Sequence, residues 1–357
     1  MRALSVDNLK AGMKVGRTIY SANNKVLLAA GMVLTEHYIE RLRELGIMSL
    51  YIADEKLGKV EVDDVISEHT RREALAVTRE VMSSIKAGGQ LDAKKVSKVI
   101  NDMIDEILAN PDLVVSLVEI RAMNDYTFGH SVNVAVLALI MGMALGYDQL
   151  SLKNLATGAL LHDVGKTLIP EELLHKVSPA EHEESSEITQ HTTLGFEILR
   201  KIEGVSLLSA HVALQHHERM NGGGYPRGLK GEEIHEFARI VAIADVYDGM
   251  TTDTPQRPRY VPHHALEYIF LHAGTLFDSR LVKVFAGSIA FFPVGSLVLL
   301  NTGEKGVVIK VHKEMPTRPV VRVLVDSRGN QVKPPFDLDL TRHLTYFVSR
   351  NLGDQEI

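Results

Sequence analysis

Residues 160–166 carry the sequence LLHDVGK, in which a histidine and an aspartate directly follow an apolar run. The apolar residues predict a helix, so the pair His162-Asp163 stands at its end. A single His-Asp pair is common at protein surfaces. In a partly buried position, however, both side chains need hydrogen-bond partners or a metal ion. The stretch therefore predicts a polar site at the end of an apolar helix.

Four further histidines and one aspartate lie in or near other predicted helical segments, and three of these candidate positions fall inside or beside an apolar helix. The five residues are His130, His191, His216, His217 and Asp245. Any one of them alone is better explained by a hydrogen-bonded or surface role, whereas the whole set favours metal coordination. Nitrogen and oxygen ligands without sulfur suit iron, manganese, nickel, cobalt or zinc. An aspartate can bridge two metals, and a metal pair can activate a bridging water for in-line phosphoryl displacement.

Composition narrows the class of protein. The 357 residues contain no cysteine, which excludes disulfides, zinc-thiolate sites and cysteine nucleophiles. The net charge of −6 predicts no general attraction to duplex nucleic acid or anionic lipid. The apolar run 135–145 is too short to cross a bilayer, and Pro293 interrupts the run 284–300. We therefore expect a cytoplasmic protein without a signal peptide or membrane span, with a helix ending near Pro293 and a strand starting near Ser296.

The sequence pattern divides the chain into four segments and predicts a mainly α fold. The predicted segments are a small α/β module over residues 1–56, a helical hairpin over 57–115, a helical domain over 116–292 and a small β-rich module over 293–357. The apolar stripes of the hairpin, whose helices we expect over 62–108, predict packing on the neighbouring domain or a homodimer contact.

Shorter patterns predict individual elements of the outer modules. In the first module we expect strands over 15–20, 26–29 and 48–52, a polar turn over 21–24, and a helix from Thr35 that Gly46 ends. In the last module we expect strands over 297–300, 306–311 and 320–325.

The order of the candidate ligands resembles that of the HD-GYP phosphodiesterases, a branch of the HD hydrolase superfamily. The matching motifs are HDVGK at 162–166 with Ile169-Pro170, HHER at 216–219, NGGGYP at 221–226, GLKG at 228–231 and ARIVAIADVYD at 238–248. The similarity covers residues 126–271. It implies an HD-type helical bundle as the catalytic domain, built around a metal centre.

The resemblance also implies a set of metal ligands. One metal would take His130, His162, Asp163 and Asp245, and the other Asp163, His191, His216 and His217. Some members of the family hold a third metal through a glutamate four residues before the first histidine, where this chain has Tyr126. We therefore expect two divalent ions, preferably iron or manganese, with Asp163 and Lys166 as catalytic residues.

The resemblance to the family is less complete at the predicted substrate-binding residues. Lys166, Gly224, Tyr225, Pro226, Asp248 and Arg257 are the predicted substrate-binding residues, because a lysine can oppose phosphate charge and a glycine-rich loop can approach a ligand closely. The family commonly has an arginine at the position of Thr254, an aromatic residue at Gln256 and an aspartate at Asn221. These departures weaken the prediction of substrate identity and leave the metal ligands intact.

The function implied by the resemblance is hydrolysis of cyclic-di-GMP to linear pGpG, and onward to GMP, by a metal-bridging hydroxide in bacterial signal transduction. Two alternatives stay open. One keeps the site but changes the substrate to a mixed cyclic GMP-AMP or another nucleotide phosphoester. The other is a cyclic-dinucleotide sensor that binds without hydrolysis.

Overall fold

The computed structural model describes residues 1–20, 26–45, 47, 49–53, 65–110, 126–174, 186–252 and 259–353. Its helices are α1 Glu36–Glu44, α2 Glu68–Lys86, α3 Ala93–Ala109, α4 Tyr126–Ala144, α5 Gln149–Leu160, α6 Glu171–Leu174, α7 Ser186–Leu199, α8 Leu207–Gln215, α9 Glu236–Thr251, α10 Pro262–Leu271 and α11 Ser279–Ser288. Its strands are β1 Arg2–Ser5, β2 Lys14–Val15, β3 Ile19–Tyr20, β4 Val26–Leu28, β5 Ser49–Ala53, β6 Leu297–Leu300, β7 Lys305–Lys310, β8 Val320–Val325, β9 Gln331–Asp339 and β10 Val348–Asn351.

The N-terminal module packs α1 against short antiparallel strands. Strand order is β1-β5-β2 in one sheet, and β3 pairs with β4 in a second. The single strand predicted over 15–20 is wrong, because β2 ends at Val15 after pairing with β5, and Ile19–Tyr20 pairs with β4 in the second sheet. The helix begins as predicted, with the Thr35 hydroxyl accepting from the Tyr38 amide. The predicted turn over 21–24 and the predicted helix end at Gly46 lie outside the described residues.

The helical hairpin α2–α3 is part of the main core. Helix α2 begins at Glu68, later than predicted, because the Ser67 hydroxyl caps it by accepting from the Thr70 amide. The predicted apolar stripes, including Val81 and Ile100, are buried in the same cluster as α4 and α5. The apolar face that motivated the dimer prediction is therefore covered by the chain itself.

Helix α4 lies at the centre of the bundle. From residue 131 to 139 its side chains are almost fully buried, because, apart from Ser131 and Asn133, the sequence is apolar on every face of the helix. It packs on α2, α5, α9 and α11. The helix begins at Tyr126, before the predicted apolar run, and this places His130 inside the helix. The central position of α4 brings His130 next to ligands from other helices.

The C-terminal module is a five-stranded antiparallel sheet in the order β10-β6-β7-β8-β9. Three of its strands were predicted to within one residue, whereas β9 and β10 were not, because Pro334, Pro335 and exposed polar residues conceal the period of two. Before the sheet, α11 ends at Ser288 and β6 starts at Leu297, close to the predicted break in this apolar run. The mainly α fold with small N- and C-terminal modules is confirmed.

Within the described ranges, no helix combines the length and the apolar character that a membrane crossing requires.

Candidate metal centre

The seven predicted metal ligands come together in the centre of the bundle. His130 comes from α4, His191 from α7 and Asp245 from α9. The pair His162-Asp163 follows the end of α5, and the pair His216-His217 follows the end of α8. Thus ligands separated by up to 115 residues share one buried site.

These side chains form two groups of potential ligand atoms. Asp163, His191, His216 and His217 make up one group, and His130, His162 and Asp245 the other; within each group the ligand atoms lie within 4.8 Å of one another. Both groups have the size and donor chemistry of a site for a divalent metal.

Asp163 lies between the two groups. Its Oδ1 atom is 3.6 Å from His191 Nε2 and 3.7 Å from His216 Nε2. Its Oδ2 atom is 3.5 Å from His162 Nε2. A carboxylate whose two oxygens face different groups has the arrangement required of a bridging ligand.

The main chain fixes the orientation of three imidazole rings. The Nδ1 atoms of His162, His191 and His216 lie 2.7, 2.7 and 3.0 Å from carbonyl oxygens three residues earlier. A carbonyl only accepts, so each Nδ1 carries the proton and each Nε2 presents a lone pair to the site. This tautomer is the one that binds a metal through Nε2.

Several polar atoms in the site lack protein partners. Among the described residues, His162 Nε2, Asp163 Oδ1 and His217 Nε2 are buried without a hydrogen bond. Unpaired buried polar atoms are costly in a folded protein. Their places in the two ligand groups, together with the ring orientations, fit bound cations.

Burial and neighbouring charges separate the pKa values of the ligands. Burial lowers the pKa of His162 to about 4 and, with help from Lys166, that of His191 to about 3. Burial alone would raise the pKa of Asp163, but the Lys166 ammonium and the nearby imidazoles outweigh it and hold that pKa well below its ordinary value. The two imidazoles are thus neutral and the carboxylate ionised at neutral pH, as metal binding requires.

His130 is oriented by a carboxylate instead of the main chain. Burial disfavours its charged form, yet Asp245 and Asp248 raise its pKa well above the ordinary value. Asp248 Oδ2 lies 2.7 Å from His130 Nδ1, and Asp248 Oδ1 accepts from Asn133 at 2.6 Å. Asp248 is 2% exposed, so we interpret it as a residue that orients His130 in place of the predicted substrate contact.

Gly165 lets the His-Asp turn approach α7 closely. After Asp163 the chain forms a short 3₁₀ helix over Val164–Leu168. A Cβ atom on Gly165 would lie 1.9 Å from the His191 carbonyl oxygen, a distance that no side chain tolerates. The glycine is therefore needed to bring His191 against Asp163.

The glycine-rich loop is held by a buried carboxylate. Glu218 is 2% exposed and accepts from the amides of Arg227 and Leu229 at 2.8 and 2.9 Å. A Cβ on Gly224 would lie 2.3 Å from the His217 carbonyl oxygen. Gly224 is thus required for packing of the loop on its own main chain, a different role from the predicted approach to a ligand.

The other predicted substrate residues lie at the edge of the site. Lys166 Nζ is 2.7 Å from Asp163 Oδ2, and its side chain is 29% exposed. The Tyr225 ring stacks on His217 with centroids 4.6 Å apart, and Pro226 next to it is exposed. The Asn221 side chain accepts from the Gly223 amide and shapes the turn. Arg257, Thr254 and Gln256 lie outside the described residues.

Two residues of the site were missed in the sequence. Asn133 was not singled out, although a polar residue three positions after His130 in an apolar helix lies on the same face. Glu218 was noted only as part of a motif, because its contacts to amides 9 and 11 residues later follow from the path of the loop.

Comparisons with known proteins identify the family. Residues 109–281 match the HD domain, and residues 297–357 match the KOW domain associated with the HD domain. A cyclic di-GMP phosphodiesterase of Pseudomonas aeruginosa, PA4108, is 30% identical over 283 residues, which cover 78% of this chain and 68% of the relative. The chain belongs to the HD-GYP family. This confirms the predicted class of enzyme, a hydrolase that acts on cyclic dinucleotides as a phosphodiesterase.

Two further similarities accompany this HD-GYP assignment. The 3'3'-cGAMP-specific phosphodiesterase 1 of Vibrio cholerae is 38% identical over 154 residues, which cover 43% of this chain and 35% of the relative. The solved structure of Bd1817, a HDG"Y"P protein from Bdellovibrio bacteriovorus, aligns over 79% of this chain and 97% of its own with 18% identity and a TM-score of 0.49.

Proposed function

We propose that this HD-GYP protein hydrolyses cyclic-di-GMP to linear pGpG, and onward to GMP, with two divalent metal ions. The observation that carries the proposal is the Asp163 carboxylate between two groups of histidine and aspartate ligands. In the first step one P–O3′ bond breaks, the oxygen of water joins phosphorus, and a proton passes to the leaving 3′ oxygen.

The donor set fits metal binding because three of its buried atoms, His162 Nε2, Asp163 Oδ1 and His217 Nε2, have no hydrogen-bond partner among the described residues. His130, His162, Asp163 and Asp245 would hold one ion, and Asp163, His191, His216 and His217 the other. When bound, such a pair lowers the pKa of water and stabilises both the attacking and the leaving oxygen. We favour iron or manganese as the bound metal, and nickel, cobalt and zinc suit the same donors.

The protein's own residues orient the ligands and the substrate. His162, His191 and His216 keep their Nδ1 protons in hydrogen bonds to the main chain, so they present lone pairs and do not exchange protons with substrate. Lys166, partly exposed beside Asp163, is placed to oppose the charge on the attacked phosphate. Tyr225, fixed by stacking on His217, offers its other face to a base.

A mixed cyclic GMP-AMP is the second candidate substrate. The similarity to a 3'3'-cGAMP-specific phosphodiesterase favours it, as do Thr254 and Gln256, which stand where the family has an arginine and an aromatic residue. The two candidates differ only in one purine, so they require the same metal site.

The test is a product assay on protein loaded with iron or manganese under reducing conditions. We expect linear pGpG from cyclic-di-GMP, and no product from the variant with both His162→Ala and Asp163→Ala. His343→Ala is the matched control, because His343 is exposed in the C-terminal sheet module. Faster turnover of cyclic GMP-AMP would select the second substrate, and tight binding without any product would identify a sensor.

A further inference from the structure

A series of hydrogen bonds connects α2 to the metal ligand His130. Arg71 Nη1 on α2 donates to Asn133 Oδ1 on α4 at 3.0 Å. Asn133 Nδ2 donates to Asp248 Oδ1 at 2.6 Å, and Asp248 Oδ2 lies 2.7 Å from His130 Nδ1. Two side chains, Asn133 and Asp248, therefore separate Arg71 of the hairpin from a candidate metal ligand.

The chemistry of the first donor fixes the whole series. A guanidinium group can only donate, so Arg71 directs the oxygen of the Asn133 amide toward itself and the NH₂ group toward Asp248. The Asp248 carboxylate then accepts the Nδ1 proton of His130. His130 Nε2 then faces the site, 2.9 Å from Asp245 Oδ1, where a bound metal would replace its proton.

Water is excluded from the middle of the series. Asn133 and Asp248 are each 2% exposed, so solvent cannot replace a lost donor. Without the guanidinium, the Asn133 oxygen would be left buried and unpaired, and its amide would have no reason to keep its orientation. His130 would then lose part of the contact that holds its ring.

Helix α2 also contacts the surrounding elements through neighbouring residues. The Arg79 guanidinium lies 5.2 Å from the centre of the Phe128 ring, in the first turn of α4. Arg72, next to Arg71, lies 4.8 Å from the centre of the Tyr20 ring in the N-terminal module. The same turn of α2 thus touches the N-terminal module and the hydrogen-bond series to the metal centre.

We propose that Arg71 is a positioning residue for the metal group of His130, His162 and Asp245. The hairpin that precedes the HD domain match, which starts at residue 109, is then a structural part of the metal centre. The proposal rests on the metal centre of the proposed function, and it deepens that function by assigning a residue outside the matched domain to the site.

The test is competition between the protein and a chelator for cobalt(II), with the visible absorption of the bound ion as a second signal. In Arg71→Met we expect one of the two ions to bind about tenfold or more weakly with altered absorption, and the other to bind as in the wild type. Arg71→Lys restores binding, because its ammonium donates to the same oxygen. Lys86→Met, which removes an exposed cation from the far end of α2, leaves both ions unchanged.

Two results would overturn the proposal. One is wild-type affinity for both ions in Arg71→Met; the other is an equal loss at both sites, which would indicate general destabilisation. If Arg71→Met does not fold, Arg71→Leu, which also lacks a donor, supplies the same comparison. Binding is measured without substrate, so a wild-type protein that holds two ions but leaves cyclic-di-GMP intact would refute only the proposed function.

Discussion

The Nζ atom of Lys166 lies 2.7 Å from the Oδ2 atom of Asp163, at the partly exposed edge of a buried metal centre. The ammonium lowers the pKa of that carboxyl against the effect of burial. The same positive charge is available to a phosphate that approaches from solvent.

Replacing Lys166 with methionine therefore affects turnover more than metal binding. We expect kcat to fall by about 10²- to 10³-fold, the usual effect of removing one electrostatic donor, while two metal ions stay bound. Steady-state kinetics and metal analysis on the same preparation measure both quantities. Lys201→Met is the control. Lys201 is an exposed lysine whose ammonium lies 3.7 Å from the Glu197 carboxylate. Unchanged kcat in Lys166→Met would exclude this role.

Gly165→Ala is predicted to displace His191. The new Cβ would collide with the His191 carbonyl oxygen, so α7 must move away from Asp163. We expect a loss of stability of about 1–3 kcal/mol or more, typical of overpacking, and loss of the ion on the His191 side. Thermal unfolding and metal analysis detect the two effects. Gly287→Ala on α11, where a Cβ meets no atom within 4 Å, should be neutral or stabilising.

The pH dependence of stability should follow from the buried imidazoles. The pKa values of His162 and His191 are about 4 and about 3 because of burial, whereas in the unfolded chain both groups protonate near their ordinary value of 6.5. Between pH 6.5 and 4 the unfolded state therefore binds more protons, and the free energy of unfolding falls as pH falls. Each group contributes up to about 1.4 kcal/mol per pH unit.

Thermal unfolding of chelator-treated protein measures this dependence. His130, whose pKa is raised, contributes with the opposite sign. The stability that it adds to the folded state is complete below pH 6.5 and is lost as the pH rises through the pKa of His130 in the folded protein. Below pH 6.5 the destabilisation by His162 and His191 therefore dominates. His191→Gln should flatten the decline and His343→Gln should not; a transition temperature independent of pH between 6.5 and 4 would contradict the prediction.

Several of the ligands could be singled out in the sequence because they interrupt or end an apolar helix, and the resemblance to the HD-GYP phosphodiesterases implied how the set divides between two metals. His162 and Asp163 stand directly after a run that becomes α5, and Asp245 stands within the apolar stretch of α9. Such side chains need a partner wherever the helices pack. The two groups formed by the structure have the same members as the predicted ligand sets, with Asp163 placed next to both.

Residues that support the ligands were harder to predict, because their roles depend on contacts between distant segments. Arg71 and Asn133 are 62 positions apart, and Asn133 and Asp248 are 115 apart. No local pattern indicates which polar residues of α2 and α9 will meet α4. The same limit applies to β9, whose prolines and exposed side chains give no strand period and whose pairing with β8 defines it.

Metal analysis of the wild type and of Asp163→Asn, both prepared without oxygen, tests the central claim most directly. The claim is that one carboxylate serves two metal positions. We predict two ions per chain in the wild type and loss of both, or retention of one at weaker affinity, in Asp163→Asn, with the variant still folded by circular dichroism. A wild type that binds a single ion, or an Asp163→Asn variant that keeps two at full affinity, would contradict a shared carboxylate and the phosphodiesterase site built on it.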